Sequence, residues 1–274
     1  MSVKHTILFL AANPSGLDRL ALDREARAIQ KELESASNRD CFVLETRWAA
    51  EPLDLLRELR KLKPTVVHFS GQGGQGMADV QQPHGLFFQG HDGRAQFVST
   101  VALEETFGAA GASVKVVVLN ACYSETQAEA LLAHVECVVG MRGAIPDGAA
   151  RSFAIGFYGG LGDRESIAAA FQQGCAAISL EGLREGDRPQ LKVRPEIDAH
   201  RLVLVADPPI TPPISAPRTP EPSGDQAGDA PRVRQAQPGF GRVLWRRLSS
   251  EGEWALVVIP LLVIGIVGAL SRSC

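Results

Sequence analysis

The chain has 274 residues, 45% of them hydrophobic and 22% charged, enough to bury a substantial core in one large domain or two small ones. A formal charge of -3, with no Lys/Arg stripe over the main domain, argues against a nucleic-acid partner. Five cysteines (Cys41, Cys122, Cys137, Cys175 and Cys274) are scattered, odd in number and free of C-x-x-C spacing, which argues against a disulfide framework or a zinc site and favours a reducing compartment.

The opening "MSVKHTILFLAANPSG" pairs a basic residue with an apolar run. The run 6–12 is too short and too rich in strand formers for a signal peptide, and Asn13-Pro14 closes it as a turn. It predicts the first strand. A helix follows over 23–36, where "DREARAIQKEL" puts Ala26, Ile29, Gln30 and Leu33 on one face. A strand at 41–48, a helix at 52–62 and a strand at 65–70 come next. The last of these, "VVHFS", runs into the glycine-rich turn "GQGGQG". "GLFFQGHDGRAQFVS" reads as a hairpin about Asp92-Gly93. Then come a helix at 100–109, a strand at 114–120, a helix at 125–134, a strand at 136–141 and helices at 149–160 and 166–180. Continuous apolar strands such as "VKVVVLN" imply a mainly parallel α/β sheet with helices on both faces.

Composition changes at Asp207. Nine of the seventeen prolines fall between Pro208 and Pro238, with few large apolar residues among them. The stretch 207–241 is therefore expected to be a disordered, semi-extended linker, reaching at most roughly 100 Å. Beyond it, 242–274 holds a basic flank (Arg242, Arg246, Arg247) and an uncharged apolar run at 254–270. Seventeen residues rise about 26 Å as a helix, the short end of what spans a bilayer. The run reads as a C-terminal transmembrane anchor behind a globular 1–206, with the head on the cytoplasmic side because the positive charge precedes the span. Gly265 and Ala269, four apart, suit self-association into a homo-oligomer.

Function in an open parallel sheet gathers at the carboxyl ends of its strands. Two such ends carry unusual residues. One is "HFSGQGG" at 68–74, with Gln72 in its turn; the other is Cys122, between the strand "VVVLNA" and a helix. Amides at a helix N-terminus favour a thiolate, yet free cysteine is also among the most buried and inert residue types, so position alone leaves Cys122 open. His68 is four strand residues from Gln72, about 13 Å, and reads as a hydrogen-bonded histidine inside the sheet. His84 and His91 flank or cap the hairpin. Asp147, just before a helix, is explained by N-capping or would line a substrate pocket. Asn13 reads as a turn residue, and Asn120 as a strand-end hydrogen bonder or a brace for the cysteine loop. "GQGGQG" lacks the features of a phosphate loop. No cofactor or metal is expected.

A strand ending in H-x-x-G-H-G (here H-F-S-G-Q-G), then a hairpin and helix, then a strand ending in "LNACYS", resembles the CHAT family of caspase- and separase-like proteins. "ILFLAANP", "LDREARAIQKEL" and "VVGMRGAIPDGAARSFAIGFYGGL" extend the likeness over roughly residues 4–205. The resemblance implies a caspase-like fold in which Cys122 holds the nucleophile position and the backbone amides of Gly73 and Cys122 match the oxyanion donors. It also implies that Gln72 stands where the family has its histidine base. A general base contributes about 10²–10⁴-fold, and a neutral amide cannot cycle a proton. Three readings follow. One is a membrane-tethered pseudopeptidase, binding a protein or peptide partner in the cleft, in bacterial defence or regulated cell death. Another is an active cysteine peptidase with a recruited base. The third is an effector whose membrane helix oligomerises and perturbs the bilayer.

Overall fold

Strands and helices alternate along the residues that the computed structural model describes, 4–75 and 84–205. They lie in one unit, Met1–Pro213; the second unit, Ile214–Cys274, lies outside the described residues, as does the predicted span at 254–270. No described helix is long and apolar enough to cross a membrane.

In chain order the elements are β1 (His5–Ala11), α1 (Leu22–Ser35), β2 (Phe42–Trp48), α2 (Pro52–Leu62), β3 (Val66–Ser70) and β4 (Gln72–Gln75). They continue with β5 (His84–Gln89), β6 (Ala95–Ser99), α3 (Thr100–Ala110), β7 (Val116–Asn120) and α4 (Glu125–Leu131). The last are β8 (Cys137–Met141), α5 (Asp147–Gly162), α6 (Ile167–Leu180) and β9 (Pro189–Val193). The main sheet has the order β2-β1-β3-β7-β8-β9, parallel except for β9, which runs antiparallel to β8. A small antiparallel sheet, β4-β5-β6, follows directly from β3.

The two-residue period of the strands sorts the core onto two faces. Ile7, Phe9, Val116 and Val118 point to one side and pack with Ile29 of α1, Phe153 and Phe157 of α5 and Ile167 of α6. Leu8, Leu10, Val67 and Val117 point to the other, against Leu55 and Leu59 of α2, Phe107 of α3 and Leu131 of α4. Helices therefore cover both faces of a mainly parallel sheet. The start of α2 is set locally: Pro52 occupies its first turn, and Glu51 and Asp54 cap each other's backbone in a reciprocal box.

Three details depart from the sequence expectation. The "GQGGQG" turn is in part a strand, β4, whose pairing with β5 comes from backbone groups that a glycine-rich segment does not advertise. The edge strand β9 was not foreseen; Pro189 sits at its first position, where a missing N–H costs the sheet nothing. On α1, Gln30 is exposed and bonded to Glu34, while Glu25 takes a place on the buried face beside Ala26, Ile29 and Leu33.

Candidate active-site pocket

The carboxyl ends of β1, β3 and β7 stop in register, Ala11 opposite Ser70 and Ser70 opposite Asn120. That alignment puts the turn after β3 beside the loop after β7. Gly71 N–H reaches the Asn120 carbonyl at 3.4 Å. One step on, β4 lies so close to the cysteine loop that a Cβ on Gly73 would sit 2.2 Å from the Cys122 carbonyl oxygen. Only glycine permits this approach. Gln72 and Cys122 are thereby brought to the same pocket wall by backbone packing.

The cysteine loop is fixed from several sides. Ile145 N–H donates to Cys122 Sγ at 3.4 Å, and Sγ faces the Ile145 carbonyl at 3.8 Å. Tyr123 is left-handed at φ 57°, with its N–H on the Gly143 carbonyl at 2.9 Å. Buried Ser124 donates to the Leu119 carbonyl and accepts from Met141 N–H, both at 2.9 Å, tying β7 to β8. The Gln127 amide, oriented so that donors meet acceptors, bonds the Ser124 and Tyr123 carbonyls and the Gly85 N–H of β5. A non-glycine residue at positive φ directly after the cysteine is the kind of strain that functional loops hold.

Cys122 opens on a cavity of about 30 Å³, room for little more than one water molecule. Glu25, Ser70, Gln72, Asn120 and Asp147 also line it. Gln72 Nε2 donates to the Asp18 carbonyl at 2.9 Å, a bond at the exposed edge of the pocket. Asp147 is the first residue of α5 rather than its cap, which is Pro146. Its carboxylate accepts from Ala21 N–H at 2.9 Å, so the capping account is replaced by a bond to the loop before α1.

The floor of the cavity is a buried carboxylate that sequence reading missed. Glu25 accepts from His68 Nε2 at 2.9 Å, from Asn120 Nδ2 at 2.5 Å and from Ser70 Oγ. Asn120 Nδ2 also donates to the Ala150 carbonyl at 3.0 Å, and His68 Nδ1 meets the Tyr158 hydroxyl at 3.0 Å. One carboxylate thus joins α1 to the ends of β3 and β7, with α5 attached through Ala150 and Tyr158. Burial opposes ionisation of Glu25; the His68 hydrogen bond and charge, with Ser70 and Asn120, outweigh it and hold the carboxyl below its usual value. Burial, then the Glu25 charge, pushes the Tyr158 phenol well above its usual value. The signal was in the helix period: Glu25 falls in register with Leu22, Ala26 and Ile29.

The remaining candidates fall away from the cavity. His68 is fully buried and stacked on Phe9 at 4.9 Å, a hydrogen-bonded sheet histidine as expected. His91 is exposed on the hairpin turn, 3.6 Å from Glu51. His84 opens β5 with its Nδ1 buried and lacking a partner among the described residues. No histidine is among the described residues lining the Cys122 cavity. Asn13 is the turn residue it was read as, its amide clasping Leu20 N–H and carbonyl at 3.3 and 3.0 Å. Burial pushes the Cys137 thiol up to about 12 and the Cys175 thiol up to about 11, so neither is a nucleophile near neutral pH. Among the described residues no three His, Cys, Asp or Glu side chains converge as metal ligands do.

A model of the CHAT domain matches residues 9–181, more than half of the chain. The protein belongs to the CHAT family. A curated relative, a Roc-COR-CHAT protease from an unknown prokaryotic organism, is 26% identical over 181 residues. The match takes in 63% of this CHAT chain and only 16% of that relative. Among solved structures, a secreted C11 cysteine protease from Bacteroides thetaiotaomicron, in complex with an irreversible peptide inhibitor, is similar at a TM-score of 0.49 and 14% identity. That likeness covers 65% of this chain and 59% of the other. A protein from Geobacter sulfurreducens is similar at 0.45 and 14%, over 71% of this chain and 95% of its own. In this CHAT domain the Cys122 thiol faces the Ile145 N–H across a pocket that Gln72 also lines.

Proposed function

We propose that this CHAT domain is a pseudopeptidase, a module that binds a protein or peptide segment at the Cys122 pocket without efficient turnover. The observation that carries the reading is the pocket wall itself. Cys122 shares it with Gln72, whose amide is engaged with the Asp18 carbonyl, and no described histidine lines it. A bound carbonyl would meet the thiol, with the Gly73 and Cys122 amides as oxyanion donors and Asp147 at the pocket edge. What is missing is a group that takes the thiol proton and returns it to a leaving amine. The apolar run at 254–270 and its basic flank support tethering of the module to a bacterial inner membrane, head in the cytoplasm. A role in bacterial defence or regulated cell death is the family-level context of this reading.

The test uses the full chain and a mixed peptide library. Wild-type protein should leave the library essentially uncut while Cys122 is alkylated slowly by iodoacetamide, a reaction that needs a thiolate but no proton cycling. Gln72→His should raise cleavage, and Cys122→Ala in that background should abolish it. Efficient cleavage by wild type that disappears in Cys122→Ala would overturn the reading in favour of an active peptidase.

A further inference from the structure

The segment between β1 and α1 crosses the carboxyl end of the sheet as a strap. Asn13 closes it into a loop by clasping the Leu20 N–H and carbonyl, and other residues of the loop bond elements of the cleft. Ser15 N–H and Oγ both donate to the Gly93 carbonyl, at 2.9 and 3.0 Å. Asp18 offers its carbonyl to the Gln72 amide at 2.9 Å, and Ala21 offers its N–H to the Asp147 carboxylate at 2.9 Å. The strap also partitions the surface. Leu20 and Ala21 wall the 30 Å³ Cys122 cavity; Arg19 and Leu20 wall a second of about 210 Å³ beside Trp48. Ser15, Leu17 and Arg19 wall a third of about 480 Å³ beside Gln89. Residues of this one segment thus line all three cavities, and Leu22 of α1 stands with Leu20 between the first two.

What the strap gives to the pocket groups is backbone. Gln72 receives a carbonyl and Asp147 receives an N–H three residues further on. Every peptide carries those groups, whatever its side chains.

We propose that residues 14–21 cover the Cys122 pocket as a loop whose backbone stands in for that of a bound peptide, and that Gln72 and Asp147 are the groups that grip such a peptide by its backbone. The proposal rests on reading the Cys122 pocket as a peptide site. It gives the amide at position 72 a task of its own: it donates to a carbonyl and so latches the strap, or holds the peptide that replaces it. A ligand competes with the strap, so its apparent affinity is reduced by the fraction of molecules with the strap displaced.

Gly16 provides the lever. Its φ of 89° is left-handed, and a Cβ there would meet nothing within 4 Å, so a substitution strains the strap backbone and touches no pocket group. Gly16→Val in the full chain should raise the open population by roughly 5- to 30-fold. Hydrogen exchange at the Ser15 and Ala21 amides should accelerate by that factor. Alkylation of Cys122 by the strap-derived reagent Leu-Asp-Arg chloromethyl ketone, in which Sγ forms the C–S bond and chloride leaves, should rise equally. Iodoacetamide, small enough to need no grip, should change by less than about twofold. The milder Gly16→Ala should move both peptide readouts the same way by a smaller factor. Gln72→Ala releases the latch but also removes the grip, so its strap amides should exchange faster while its gain in peptidyl labelling stays well below that of Gly16→Val. Unchanged exchange in folded Gly16→Val and Gly16→Ala, or faster exchange with no gain in peptidyl labelling, would overturn the proposal. So would a Gln72→Ala gain equal to that of Gly16→Val. Turnover of peptides by wild type would sink the pseudopeptidase reading while leaving these strap measurements decisive on their own terms.

Discussion

Removing the Glu25 carboxylate should separate two things the fold combines at one point, a stability clamp and the floor of a site. In Glu25→Ala, three buried donors lose their acceptor: His68 Nε2, Ser70 Oγ and the Asn120 amide, whose second bond to Ala150 remains. Each orphaned buried donor costs about 1–3 kcal/mol, and here the losses fall within one network. These overlap, so we expect about 3–5 kcal/mol in all, a large part of the 5–15 kcal/mol typical of a domain. Glu25→Gln is milder. Its carbonyl oxygen can keep His68 and Asn120, and Ser70 can turn its hydroxyl to accept from the new amide. What is lost is the charge assistance, about 2 kcal/mol over the set. Urea unfolding of the full chain, followed by far-ultraviolet circular dichroism, should rank wild type above Glu25→Gln above Glu25→Ala. A Glu25→Ala loss below about 1 kcal/mol would refute the clamp.

The same carboxylate fixes a pH limb. Its folded pKa is depressed, so its contribution is fully present above the ordinary glutamate value of 4.5 and fades as pH falls through the lower folded value. Wild-type stability should therefore drop more steeply below pH 4.5 than that of Glu25→Gln. Parallel acid limbs would mean that His68, Ser70 and Asn120 do not hold the ionised form.

Three further outcomes follow from the structure and the sequence. Tyr123→Gly should match or exceed wild-type stability by up to about 1 kcal/mol, because the ring is half exposed and φ is 57°, whereas Tyr123→Val should cost about 1 kcal/mol or more; a Tyr123→Gly protein clearly less stable than wild type would show that the left-handed turn carries no strain. Mass mapping after brief iodoacetamide treatment of folded protein at pH 7.5 should find Cys137 and Cys175 unmodified, and labelling of either ahead of Cys122 would contradict the burial that pushes both thiols up. A tag after Cys274 should be protease-sensitive in right-side-out vesicles and protected in inverted ones, since three arginines precede the apolar run and one, Arg272, follows it; a tag digested as readily as the head in inverted vesicles would refute the crossing.

Much of the architecture was legible because hydrophobic period is local information. Ile7 and Leu8, adjacent in sequence, belong to opposite cores, and "VVVLN" is buried throughout, as a strand covered on both faces must be. The hairpin announced itself by Asp92-Gly93. The parts that were missed depend on partners distant in sequence. β4 is a strand because β5 lies beside it, and β9 because β8 offers a free edge. Neither has the unbroken apolar run that marked the central strands.

The site divides along the same line. Cys122, Gln72 and Asp147 could be picked out from their places after a strand or at a helix start, and Gly73 from the family resemblance; the fold puts the first three around one pocket and Gly73 against the Cys122 carbonyl. Their bonding could not be read ahead. Gln72 looks in sequence like an absence, the place where a base is missing, yet its amide is one of the contacts that hold residues 14–21 over the pocket. Asp147 looks like a helix cap and instead holds the far end of the same segment. Both bonds run to backbone atoms of a loop whose own side chains, Asp18 and Ala21, would never be singled out as ligands. Replacing the Gln72 amide by histidine would also remove its bond to the Asp18 carbonyl. For that reason Gln72→His tests more than the return of proton transfer, and strap exchange should be followed beside cleavage when it is made.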